Sequence, residues 1–125
     1  MTDRLRRSAD VQRALRRGRS RGGELLAIHA LPRPEEEAIP GARLTVVASR
    51  RVGGAVRRNR AKRLLREAAR ARAWRPGLDV VLVARAACAD SGLAPVGDEL
   101  DRLAAQLDAV ERVVERVVER AEVAP

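Results

Sequence analysis

The stretch DVVLVARA, residues 79–86, constrains the fold more than any other. A strand with one face in water alternates apolar and polar residues. This one is apolar without interruption from Val80 to Ala84, as a strand covered on both faces is. The rest of the chain must supply that cover. SADVQRALRRG reads as a short helix: Val11, Ala14 and Leu15 fall at i, i+3 and i+4, Ser8 is placed to cap the first turn, and Gly18 is a natural stop. A second helix is predicted over 55–72, after the break at Gly53-Gly54, with Ala61, Leu64, Leu65, Ala68 and Ala69 as its apolar stripe. A third is predicted from Pro95 or Asp98 to Ala121. Its tail, VERVVERVVER, offers Arg112–Glu115 and Arg116–Glu119 as i,i+3 pairs, and coiled-coil self-association stays open there.

LLAIHAL (25–31) and ARLTVVAS (42–49) read as strands, the second either continuous or preceded by a short extra strand in the loop 32–41. RSRGG (19–23) reads as a flexible turn, RPGL (75–78) as another, and CADSGLAPVG as a loop. The order α, two or three β, α, β, α describes an α+β or α/β domain with helices packed on a sheet. At 125 residues the chain fits one domain. No apolar run is long enough to cross a membrane, so a soluble protein is expected. The single cysteine, Cys88, excludes an internal disulfide and points to a reducing compartment, hence the cytoplasm. The Arg-rich start has the look of an organellar transit peptide, but Asp3 and Asp10 interrupt it and no small-residue cleavage site follows an apolar stretch. It is read as the first structural element.

Charge supplies the functional clue. Residues 1–85 hold 22 basic and 8 acidic groups, whereas residues 86–125 hold 4 and 9. The basic part implies a polyanion, nucleic acid or acidic membrane, although charge alone also suits a merely soluble protein. Of 26 basic residues all but Lys62 are arginine, whose planar fork grips phosphate with two hydrogen bonds. The density peaks in SRRVGGAVRRNRAKRLLREAAR, residues 49–70, with nine cations and one acid. On the predicted helix Arg58, Lys62, Arg66 and Arg70 recur every four residues on the outward side, flanked by Arg57, Arg60 and Arg63. Arg50 and Arg51 lie just upstream. Stacked like charges cost a helix about 0.2–0.5 kcal/mol per pair, a term that bound phosphates would reverse.

This stretch resembles the signature of the bacterial ribonuclease P protein subunit. Ser49, two cations, Val52, Gly53, Ala55, Val56, Arg58, Asn59, Arg60, Lys62, Arg63, Arg66 and Glu67 fall in step with it. RLRRSADVQRALRRG is similar to that family's opening helix, and PGLDVVLVARA to the strand after the basic helix. The likeness covers most of residues 4–107 as one domain, with 108–125 outside it as a helical extension. It implies an α+β fold of order α-β-β-β-α-β-α, similar to a ribosomal-protein fold, with a left-handed β-α-β crossover. It implies an RNA-binding subunit that assists a catalytic RNA, as a 1:1 ribonucleoprotein, in removing the 5′ leader of precursor tRNA, with Mg²⁺ chiefly on the RNA and substrate. Arg50, Arg51, Arg57, Arg58, Asn59, Arg60, Lys62, Arg63 and Arg66 are then the residues expected on the catalytic RNA.

The leader cleft implied by the resemblance, between the first helix and the sheet, would use Val11, Leu15, His29, Arg13, Arg17 and Ser49. Here the sequence departs from its relatives, which carry aromatics at positions matching Val11, Leu15 and His29; the chain has no Phe or Tyr. Arg13, Arg17 or Arg19 would have to stack in their place. A plain strand histidine facing solvent is the other reading of His29. Trp74 is expected to pack the end of the basic helix. With one His and one Cys, no zinc cluster can form, and no catalytic residue is expected on this chain. Asp79 is read as structural. A ribosomal or nucleoid-type binding protein and a protein nuclease are the competing readings.

Overall fold

In the computed structural model, residues 2–34 and 41–111 are described. Five strands, β1 (Thr2–Arg4), β2 (Arg19–Gly22), β3 (Leu26–Pro32), β4 (Ala42–Val47) and β5 (Leu78–Ala84), form one sheet in the order β1-β4-β5-β3-β2. Three helices, α1 (Ser8–Arg17), α2 (Ala55–Arg70) and α3 (Leu93–Leu107), cover it. β4 and β5 are parallel and joined through α2, β1 is parallel to β4, and β3 is antiparallel to both β5 and β2.

β5 lies at the centre, which explains its unbroken apolar run. Val80, Leu82 and Ala84 join Leu26, Ile28 and Ala30 of β3 in the core beneath α2 and α3. Val81 and Val83 belong to the opposite face, with Leu31, Val47 and α1 residues Val11, Ala14 and Leu15. The predicted stripe of α2 is buried throughout: Ala61, Leu64, Leu65, Ala68 and Ala69. Truncating a wholly enclosed side chain such as Leu65 costs about 2–5 kcal/mol.

Three expectations are corrected. A strand precedes LLAIHAL that was not expected there, and whether the 32–41 loop adds another falls on residues 35–40, outside the described residues. That strand is β2, the segment read as a turn, whose polar residues pair Arg19 with Ala30 and Ser20 with His29 across the ladder. Ser8 does not cap α1: Arg7 occupies the cap position, and no side chain bonds the free amides. Finally, the last helix starts at Leu93 and stops at Leu107, because Asp108 turns left-handed (φ 52°). The chain then runs back along the end of α2: Arg75 N–H donates to the Ala109 carbonyl, Glu111 N–H donates to the Ala73 carbonyl, and Val110 bridges to Trp74. The remainder of the expected helix, with the VERVVER repeat beyond Glu111, lies outside the described residues.

Gly18 ends α1 for a steric reason, since a Cβ there would overlap the Ala14 carbonyl and crowd that of Ala30. Asp79, fully buried at the head of β5, accepts two 2.7 Å bonds from the Arg43 guanidinium and one of 3.2 Å from Arg33. Arg33 also donates to the Gly41 and Leu78 carbonyls, so the buried charges are paired and hydrogen-bonded as burial requires. That is the structural role expected of Asp79.

Candidate nucleic-acid interface

The basic segment begins at a 3₁₀ turn, Arg50–Val52. Ser49 Oγ accepts the Arg51 N–H at 3.3 Å, and Gly53 closes the turn at φ 138°, a conformation that favours glycine. The turn anchors through buried Val52 and leaves Arg50 and Arg51 exposed at the mouth of α2.

The cations of α2 divide into two sets. Arg57 is tied down: its Nε donates to the Val52 carbonyl at 2.9 Å, and its two terminal nitrogens reach both carboxylate oxygens of Asp90 at 2.6 and 2.9 Å. That hydrogen bond and the accompanying charge attraction hold the Asp90 carboxyl below the usual carboxylate range and raise the Arg57 guanidinium. Arg60 donates to the Ala89 and Ser91 carbonyls. Arg72, just past the helix end, bonds the Ala68 and Gly97 carbonyls and grips Asp101 with two bonds. These arginines fasten α2 to the 86–91 turn and to α3. By contrast, the side chains of Arg50, Arg51, Arg58, Lys62, Arg63, Arg66 and Arg70 make no hydrogen bond or ion pair with another described residue. Asn59 is exposed between the sets.

On the other face of the sheet, α1 bounds a hollow of about 460 Å³ lined by Arg4, Leu5, Arg6, Val11, Thr45 and Val47. Of the six cleft residues, Val11 alone lines it. Leu15 packs among Leu31, Val81 and Val83. His29 is half-buried on β3, level with Val81 and Ser20, and burial lowers its pKa, favouring the neutral ring. Arg13 joins Asp10 and Asp79, at 3.6 and 3.8 Å, in the ion network beneath α1. Arg17 is exposed at the end of α1, and Ser49 is occupied as the cap already described. Arg19 pairs with Ala30, whose side chain lies on the α3 side, so of the three arginines considered for stacking only Arg17 is uncommitted on the α1 side. Trp74 packs the end of α2 as expected, with its indole N–H on the Ala69 carbonyl.

Sequence reasoning missed the pairing partners. Asp90 lies 33 residues from Arg57, and no local pattern links them. Glu99, buried on α3, accepts the backbone N–H groups of Glu24, Leu25 and Leu26 and so fixes the start of β3. Its signal was an acid at an apolar-stripe position of a helix. Among the described residues no grouping of three or more His, Cys, Asp or Glu could hold a metal, and no helix is long and apolar enough to cross a membrane.

A profile of the family described as Ribonuclease P matches residues 1–108. The chain belongs to the ribonuclease P protein family. Its ribonuclease P relatives include the protein component of Dehalococcoides mccartyi, 40% identical over 88 residues, which cover 70% of each chain. That of Streptomyces avermitilis is 40% identical over 106 residues, covering 79% of this chain and 86% of its own. The structure of the Staphylococcus aureus RNase P protein superposes with a TM-score of 0.71 at 23% identity, over 86% of this chain and 97% of that one. The Thermotoga maritima RNase P protein gives 0.67 at 25% identity, over 80% and 93%. The α+β single-domain fold is thus that of ribonuclease P proteins, and the chain is the protein component of an endoribonuclease of tRNA processing.

Proposed function

We propose that this ribonuclease P protein binds its catalytic RNA, one to one, along the free cations of the 3₁₀ turn and α2. It holds the 5′ leader of precursor tRNA on the α1 side of the sheet. The observation that carries the reading is the segregation of the basic segment: five cations of α2 and two of the 3₁₀ turn before it have no partner among the described residues, while the other arginines of α2, Arg57 and Arg60, are both bonded. Unpaired guanidinium groups on a rigid helix are pre-set for phosphate, and each contact releases counterions. The protein supplies binding and positioning. The hydrolysis belongs to the RNA, where Mg²⁺ on RNA and substrate would polarise the scissile phosphate. The leader side has Val11, Leu15 and His29 where relatives stack aromatics. Because base stacking is worth about 1–3 kcal/mol, leader affinity should rest more on charge here. The expected site of action is the cytoplasm.

The test is cleavage of a precursor tRNA at low Mg²⁺ with the protein, with a bacterial ribonuclease P RNA, and with both. Cleavage that requires or is strongly enhanced by the pair supports the reading. Cleavage by the protein alone would make it a nuclease. RNA binding without enhancement would make it a ribosomal or nucleoid-type binder.

A further inference from the structure

The basic surface does not end on α2. A groove of about 400 Å³ opens between the C-terminal half of α2 and the edge strand β1, walled by Arg66 and Arg70 on one side and Arg4 on the other, with Leu44 and Ala69 between them. The one acid on its lining, Asp3, is engaged by the backbone N–H of Arg4 at 2.8 Å. None of the three guanidinium groups bonds another described side chain. A smaller hollow of about 240 Å³ continues from it, sharing Arg4, Leu44 and Arg66 and adding Thr45. Thr45 and Arg4 also line the hollow beside α1. The three depressions therefore share walls, and together they form a track from the basic helix, around the β1 edge, to the α1 side of the sheet. Arg4 lines all three.

We propose that this track is a further RNA site, in which Arg4 and Arg70, with Arg66, take the sugar-phosphate backbone of an RNA strand passing around the edge of the sheet. The proposal rests on the functional reading above. Three arginines with no partner among the described residues, around a single carboxylate, favour a polyanion. The apolar floor of Leu44 and Ala69 suits the sugar of a strand laid between them better than a lone ion in water. The strand has two possible sources with the same chemistry, the catalytic RNA or the leader.

The experiment uses the whole chain. Wild-type protein is first shown to stimulate cleavage. Failure at that step would bring down the functional reading and the proposal together, before any substitution is made. The Arg4→Ala/Arg70→Ala double variant is then compared with wild type in filter binding across a salt series. One arm uses labelled ribonuclease P RNA, and the other uses the assembled holoenzyme with precursor tRNAs of long and short leader. Thermal melting controls for folding. The expected result is an unchanged melt, affinity lower by about tenfold or more, and a salt slope shallower by about two. A loss in the first arm assigns the track to the catalytic RNA. A loss in the second that grows with leader length assigns it to the substrate. Wild-type affinity and slope in both arms would overturn the proposal. So would an equal loss of slope in the charge-preserving Arg4→Lys/Arg70→Lys variant, since the mechanism is electrostatic.

Discussion

On the flank of α2 turned to the 86–91 turn and α3, the arginines end on carbonyls and carboxylates of the same chain. On the outward flank, toward the β1 edge, identical side chains end on nothing the described chain provides. Composition cannot separate the two flanks, yet the structure gives them different tasks. An internally bonded arginine stabilises the fold and has its fork already filled. An uncommitted one costs the free protein helix stability and returns it only on binding. A basic helix is therefore not read by counting its cations; what matters is which forks remain open.

The comparison breaks most sharply on the outward flank. The triple variant Arg58→Ala/Lys62→Ala/Arg66→Ala should lower affinity for ribonuclease P RNA by on the order of 10³-fold, taking about 1.5 kcal/mol or more per charged hydrogen bond. Its melting temperature should stay at or above wild type, because like-charge repulsion is removed. If about 6–10 phosphates are engaged, wild-type affinity should itself fall about 10³–10⁵-fold between 50 and 200 mM salt. Filter binding measures both, and a wild-type response flat in salt would remove the electrostatic account.

Arg72→Ala should do the reverse. It deletes a bond to Ala68 at the end of α2 and the bonds to Gly97 and Asp101 that join this end to α3, so stability should drop by about 1–3 kcal/mol in a denaturant titration while RNA affinity per folded molecule stays put. An affinity loss matching that of the outward flank would erase the distinction between the two sets. Arg60→Ala belongs with Arg72 here, since its guanidinium holds the Ala89 and Ser91 carbonyls.

A smaller effect should follow from Asp90→Asn. The folded Asp90 carboxyl titrates below its ordinary value of 3.8 because Arg57 bonds its charged form. The unfolded chain therefore binds the proton more readily, and the stabilisation is present above that ordinary value and lost as pH falls through the folded one. The variant should melt slightly below wild type at pH 7, and the gap should close in strong acid. Smallest of all is His29. Burial lowers its folded pKa from 6.5, so the unfolded state binds more protons just below that value. Wild-type stability should begin to decline as pH falls through about 6.5, and His29→Gln should lack that component.

The elements with a strong hydrophobic period were legible in the sequence: β5 from its continuous run, α2 from its stripe, α1 from three residues. β1 and β2 were not. TDR and RSRG are exposed along their length, and edge strands of that kind owe their conformation to the neighbours β4 and β3 rather than to any pattern of their own. The end of α3 was missed for a related reason. The valine and leucine spacing runs on past Leu107, but Val110 pairs with Trp74 instead of continuing the helix. Within the candidate site the cations were readable from spacing, and their division was not. Asp90, Ala89 and Ser91 approach Arg57 and Arg60 only after β5 has crossed the sheet and returned the chain to α2.

The return of residues 109–111 onto the end of α2 also has a spectroscopic consequence. Trp74 is the only aromatic side chain in the protein other than the imidazole of His29, and it is 5% exposed, with its indole N–H held by Ala69 and its backbone bridged to Val110. Ultraviolet-excited emission from this protein therefore comes from one fluorophore at one junction. It stands past the C-terminal end of a helix whose basic stripe, Arg58 to Arg70, spans about 18 Å on the usual rise of 1.5 Å per residue. Its colour is sensitive to the packing of residues 109–111 on Trp74 and is free of background from any tyrosine, so their detachment and global unfolding can be followed by light in the unlabelled protein.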